Sequence, residues 1–183
     1  FIYHNDNVGK HMLDILVTKA KSGVKVKLLM DGVGTLHTRS RFFKPLAKAG
    51  GKFAFFLPVV HRPFRGRTNL RNHRKITIVD NQTVMAGGAN IGNEYMGPEP
   101  YEKRWKDLAF TLQGPAVRHW LNVFARDWAF AAKETLSPEE LAIPERTTDT
   151  GELPAGIVQV VPSGPDVPSD ALHDALLSMI HTA

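Results

Sequence analysis

Two short β-branched runs, Lys75-Ile76-Thr77-Ile78-Val79 and Thr83-Val84-Met85-Ala86, lie either side of Asp80-Asn81. Asp and Asn both tolerate a positive φ, so strand formers flanking that pair predict a hairpin turning there, with its first arm running from His73 to Val79 and its second from Thr83 to Ala86. Side chains on a strand alternate between faces, so His73, Lys75 and Thr77 project from one side while Arg74, Ile76 and Ile78 project from the other. An imidazole fixed beside an ammonium is chemistry aimed at an anion. Just past the second arm stands Gly87-Gly88-Ala89-Asn90.

Elsewhere helical and strand periodicities alternate, which predicts an α/β domain. Phe1-Ile2-Tyr3 reads as the end of a strand already under way, so the sequence is expected to be a piece of a longer chain. A helix follows from Asn7 to Gly23, with cap side chains at 5–7 and an apolar stripe of Met12, Leu13, Ile15, Leu16 and Ala20. Val24 to Met30 is a predicted strand ending in the loop Asp31-Gly32-Val33-Gly34. Those two glycines lack the third glycine and the Lys-Ser/Thr of a nucleotide loop, so a plain βα turn is the better reading. A helix over Arg39 to Gly50 puts Phe42, Phe43, Leu46 and Ala47 inward, with Pro45 shortening or kinking it. Further strands are predicted at Lys52 to Leu57, Trp105 to Leu112 and Ile157 to Val161. Ala116 to Thr135 and Asp170 to Ile180 are predicted helices. Leu136 to Gly156, rich in Pro, Glu and Thr and without periodicity, reads as a linker.

The chain of 183 residues contains no cysteine, which excludes disulfides, thiolate metal sites and cysteine nucleophiles. Its formal charge of +5 favours anionic partners. No apolar stretch reaches the roughly 20 residues of a membrane-crossing helix. Among the eight histidines there is no His-x3-His pair or other compact ligand set, so no metal is expected. The segment from Pro58 to Asn72 concentrates His61, Arg62, Arg65, Arg67 and Arg71 around Phe64. It is either a solvated connection or an electropositive rim leading a polyanion towards His73, and its continuity with the hairpin favours the rim.

The pattern His73-x-Lys75-x4-Asp80-x6-Gly87-Gly88-x-Asn90 resembles the signature of the phospholipase D superfamily. Asn72-His73-Arg74-Lys75, Gly87-Gly88-Ala89-Asn90-Ile91-Gly92, Glu94-Tyr95, Trp105-x-Asp107, Gly114-Pro115-Ala116-Val117, Asp127-Trp128 and Val161-Pro162-Ser163-Gly164-Pro165-Asp166 extend the resemblance to the first half of bacterial cardiolipin synthases. The resemblance implies an α-β-α sandwich with a mixed sheet, no cofactor, and transfer of a phosphatidyl group through a phosphohistidine. His73 would attack phosphorus, since imidazole is largely neutral at physiological pH. Lys75 and the Asn90 amide would hold the phosphoryl oxygens. Gly87 and Gly88 would let the backbone approach the phosphate, with Asn72 among the substrate-binding residues.

Asp80 belongs to the signature, but it lies seven residues from His73, on the opposite face, and reads as part of the turn. Asp107 is the candidate to orient the imidazole, by position and by the Trp-x-Asp pattern. Glu94 is the second choice, although a plain loop carboxylate paired with a nearby Arg is the better reading of it.

Protonating a leaving alcohol needs a second histidine, and this chain has one copy of the motif. A second half of the same full-length chain is expected to supply it, with 1–135 as the first catalytic half, 136–156 the linker and 157–183 the start of the second. A symmetric homodimer is the alternative, and the isolated piece would be weakly active or inactive. The resemblance further implies an anionic phospholipid substrate and peripheral contact with the cytoplasmic side of a membrane. Two rivals remain open: a hydrolase or nuclease of the same fold, acting on nucleic acid through the basic loop, and a non-catalytic module binding anionic membranes.

Overall fold

A computed structural model describes residues 1–57, 71–144, 156–163 and 171–183. Helix α1 (Asn7–Lys21) starts at Asp6, whose carboxylate accepts from the Gly9 amide at 2.9 Å. It ends before Gly23, at φ 91°. Leu13 and Ala20 are buried, while Ile15 is 41% exposed and stands outside the stripe the spacing suggested. Strand β1 (Lys27–Asp31) pairs in parallel with β2 (Lys52–Phe56). Their alternation supplies two cores. Leu28, Met30, Phe53 and Phe55 meet α1, Tyr3, Phe43 and Leu46 on one face. Leu29 and Ala54 meet Trp128 on the other.

The helix expected over Arg39 to Gly50 is two pieces, a 3-10 turn at Ser40–Phe43 followed by α2 (Lys44–Lys48). Pro45 sits in the first turn of α2, where its missing N–H costs nothing, so it helps start a helix rather than kink one. Phe43 and Leu46 are fully buried, each contributing about 1.5–3 kcal/mol of apolar burial. Ala47 is exposed, contrary to expectation.

A second, antiparallel sheet has the order β3 (Ile76–Val79), β4 (Thr83–Gly87), β5 (Ala109–Gln113). Helix α3 (Val117–Ala132) spans both sheets. Trp128 lies on the parallel pair, while Val117 joins Val84 and Ala86 over the antiparallel one. The architecture is thus α/β, with helices on both faces of the parallel pair. Among the described residues the parallel and antiparallel ladders form two sheets, so the strands are mixed in direction as expected. Tyr3 makes an isolated parallel bridge to Ile91, which ties the first residues to the stretch after β4.

The stretch read as a linker opens with structure. Leu136 is buried, and Ser137 and Glu140 form a capping box on α4 (Pro138–Leu141). Glu140 also pairs with Lys27 of β1. Ile157 to Val161 does not form the expected strand. Val158 is 46% exposed, and among the described residues no neighbouring strand offers a ladder, without which β propensity has no effect. Helix α5 (Ala171–Thr182) follows. The expected Asp170 cap, the Gly164-Pro165-Asp166 stretch, the basic residues His61, Arg62, Arg65 and Arg67, and Phe64 among them lie outside the described residues. No described helix is long and apolar enough to cross a membrane.

Candidate active site

The hairpin forms as the turn residues require. Asp80 and Asn81 adopt φ 52° and 54°, and the Gln82 amide donates to the Val79 carbonyl at 3.0 Å. The hydrogen-bonded strand starts at Ile76 rather than His73. Only the Gly87 amide, at 3.3 Å from the Lys75 carbonyl, extends the pairing further. Side-chain parity nevertheless holds through the preceding residues: Asn72 is buried and His73 exposed, while Ile76 and Ile78 pack with Val84, Ala86 and Val117.

On the open side the Phe1 ring stacks on the His73 imidazole, centroids 3.8 Å apart. The Lys75 ammonium lies 5.2 Å from the Phe1 centroid and donates to the His73 carbonyl at 2.8 Å. Partial desolvation lowers the His73 pKa and the Lys75 charge lowers it further, while Asp31 pulls it up. Desolvation likewise lowers Lys75, and the Asp107 carboxylate opposes that. His73 also lines a cleft of about 690 Å³, together with Asn72, Arg74 and the apolar Val160, Leu172, Leu176 and Met179.

On the closed side both polar atoms of the Asn72 side chain and its backbone amide are engaged. Its side chain donates to Asp127 at 2.7 Å and accepts from the Arg74 amide at 3.0 Å, and its own amide donates to Asp31 at 3.2 Å. Arg74 pairs with Asp127 at 2.8 Å and donates to the Ser163 carbonyl at 2.7 Å. Asp31, 1% exposed, also accepts from the amides of Val33 and Gly34, each at 2.9 Å. Asn72, expected at the substrate, therefore holds the backbone beside His73. Asp31 and Asp127 do comparable work and carried no role in the sequence reading. The Asp127-Trp128 pair was visible as part of the resemblance, but nothing local told which way its carboxylate turns.

The two glycines have a steric reason of their own. A Cβ on Gly87 would fall 2.3 Å from the Leu108 carbonyl oxygen, and one on Gly88 would fall 2.2 Å from a carboxylate oxygen of Asp107. The space is thus filled by the segment entering β5. Asp107 caps the Leu108 amide at 2.7 Å. Among the described residues no hydrogen bond joins Asp107 to His73, so the expected orienting contact is absent here. Lys75 is the cation its charge reaches, and Asp31 is the carboxylate whose charge reaches the imidazole.

Asn90 is buried, and its side-chain oxygen accepts from the Ile2 amide at 2.9 Å. Asp80 sits at the hairpin tip, at the far end of β3 from His73. Glu94 borders a separate cleft of about 420 Å³ with His4, Asp6, His37 and Tyr101, away from His73. Its backbone carbonyl accepts from the Trp105 amide at 2.8 Å.

Residues 2–128 match the family model described as cardiolipin synthase, PLD-like domain. The major cardiolipin synthase ClsA of Bacillus subtilis is 40% identical over 184 residues, covering all of this chain and 37% of that protein. A cardiolipin synthase of Halalkalibacterium halodurans is 37% identical, again over the whole chain and 36% of its own length. One from Clostridium perfringens is 35% identical over 188 residues and 38% of its length. The chain thus spans little more than a third of these relatives. No solved structure matches.

Proposed function

Because the chain belongs to the PLD-like domain family of cardiolipin synthases, we propose that it is the first catalytic half of a phosphatidyltransferase that joins two phospholipids through a covalent phosphohistidine. The observation that carries the reading is the pairing of His73 and Lys75 on the open side of one hairpin arm, next to Gly87-Gly88-x-Asn90. His73 attacks phosphorus and the headgroup alcohol, glycerol in phosphatidylglycerol, departs with a proton from the second histidine, leaving the phosphatidyl group on the imidazole. The hydroxyl of a second phospholipid then takes it. Lys75 neutralises charge that spreads over the phosphoryl oxygens. Asn90, fixed through its oxygen to Ile2, supplies a second donor from its amide nitrogen. Asp107 opposes the desolvation that lowers the Lys75 pKa. Asp80 shapes the turn.

A lowered pKa keeps the imidazole neutral, and so nucleophilic, further into acid than an ordinary histidine. The apolar wall of the cleft suits an acyl chain. The second histidine comes from a second half of the same full-length chain, and the enzyme works at the cytoplasmic membrane surface on phosphatidylglycerol or a related lipid.

The test uses the full-length protein and phosphatidylglycerol. Rapid quenching should trap phosphate on His73, and His73→Ala should abolish both the adduct and transfer, a loss of roughly 10³-fold or more. Undiminished transfer by His73→Ala would sink the reading, and DNA cleavage without lipid turnover would replace it with a nuclease.

A further inference from the structure

The segment from Tyr101 to Leu108 leads into β5 and carries Tyr101, Trp105 and Leu108 at 39%, 64% and 79% exposure. Lys103 and Lys106 between them are exposed as well. The backbone beneath is braced rather than loose. Arg104 donates to the carbonyls of Gly97 at 2.8 Å, Glu99 at 2.6 Å and Asn93 at 3.4 Å, and the Trp105 amide donates to Glu94. Single exposed apolar residues are ordinary. A braced segment that alternates aromatic, aliphatic and cationic side chains has a narrower use. Indole and phenol rings settle at the level of lipid headgroups, and lysine stems lie along apolar surface while their ammonium groups meet phosphate.

Charge and position both point to the same partner. Lys103, Arg104 and Lys106 outnumber Glu102 and Asp107, and the Asp107 carboxylate is turned back over Gly88. The Gly88 amide donates to the Leu108 carbonyl at 3.1 Å, so the segment is bonded directly to the turn beside the proposed phosphoryl site.

We propose that Tyr101 to Leu108 docks the enzyme on an anionic phospholipid surface, with Trp105 and Leu108 entering the boundary between headgroups and acyl chains and Lys103 and Lys106 meeting the headgroups. A phosphodiester then reaches Lys75 and His73 without leaving the bilayer surface. The assignment of lipid substrate rests on the function proposed above; the docking itself does not require it.

The experiment compares full-length wild type with a Trp105→Ser/Leu108→Ser double variant on two forms of phosphatidylglycerol, long-chain vesicles and dispersed short-chain monomers. Docking predicts a loss of about tenfold or more on vesicles, with turnover of monomers within about twofold. Equal loss on both forms, or no loss on either, overturns the proposal. Tryptophan fluorescence gives the second readout. Bromine-labelled phosphatidylglycerol in vesicles should quench emission from the wild type and lose that component in Trp105→Phe. An unquenched Trp105 would show the segment covered by another part of the protein, and would overturn the proposal too. If His73→Ala turned over monomers normally, transfer through phosphohistidine would fall while quenching still judged the docking surface.

Discussion

Four consecutive residues, Asn72 to Lys75, show two sides of one chain put to opposite uses. Asn72 and Arg74 turn inward, where the two carboxylate oxygens of Asp127 and the carboxylate of Asp31 meet their donors. His73 and Lys75 turn outward and bond little beyond each other and Phe1. The inner side consists of charges matched to carboxylates, so it fixes the position of the backbone beside His73. The outer side holds a base and a cation with no carboxylate bonded to either among the described residues, which is the condition for meeting an anionic phosphate. Strand parity separates the two functions at no cost in sequence length.

That division can be broken from either side. The largest stability effect is expected at the inner side. Asp127→Ala leaves the Arg74 guanidinium and the Asn72 amide without their main acceptor. The cost should be roughly 2–4 kcal/mol, below the top of the range for a buried pair because Arg74 is 22% exposed and keeps the Ser163 carbonyl. Lys75→Met should change stability by no more than about 0.5 kcal/mol while lowering transfer by roughly 10²–10³-fold. Thermal melts and turnover of the full-length variants check both. If Asp127→Ala melts like wild type, or Lys75→Met melts as low as Asp127→Ala, the two sides are not distinct.

Much of the outer side was legible in the sequence, and little of the inner. Asp80-Asn81 between β-branched runs has one good solution, and the chain adopts it. The spacing of His73, Lys75 and Asn90 carries its own signal. Asp31 has none, and Asp127 only its place in the resemblance, because a carboxylate at a strand end or on a helix face gains meaning only when a distant segment, here Asn72 and Arg74, is brought against it. Asp107 misled for a related reason. Its position in the chain named the right neighbourhood, but the side chain turned to Gly88 and Lys75 rather than to the imidazole. Ile157 to Val161 had strand composition, and composition cannot supply a partner strand. The basic loop before Arg71 lies outside the described residues.

A smaller effect distinguishes the two glycines that sit under the segment entering β5. An added methyl on Gly87 meets backbone, the Leu108 carbonyl at 2.3 Å and the Ala109 Cα at 2.8 Å, and neither can move without opening the β4–β5 ladder. Gly87→Ala should cost about 1–3 kcal/mol. On Gly88 the methyl meets the end of a movable side chain, the Asp107 carboxylate, which can swing aside. Gly88→Ala should therefore be the milder of the two in a melt, and its loss of transfer should exceed what its stability explains, because Asp107 no longer supports Lys75. Equal destabilisation by both would mean that Asp107 is held as rigidly as backbone.

The smallest effect tests the outer side by charge alone. His73 is held below its ordinary pKa by desolvation first and by the Lys75 charge second, with Asp31 opposing. Removing the ammonium in Lys75→Met takes away one lowering cause and leaves the raising one, so the His73 pKa must rise. The imidazole then protonates at higher pH, and the neutral nucleophile is lost earlier on acidification. Asp31→Asn should do the reverse, removing the raising charge, with its single amide oxygen left to serve either the Asn72 amide or the Val33 and Gly34 amides. NMR titration of the His73 ring, which needs no turnover, should show the midpoint move up in Lys75→Met and down in Asp31→Asn. A shift of the same sign in both would mean that altered packing, rather than charge, controls the imidazole. The inner carboxylate would then act on His73 only through the backbone it holds.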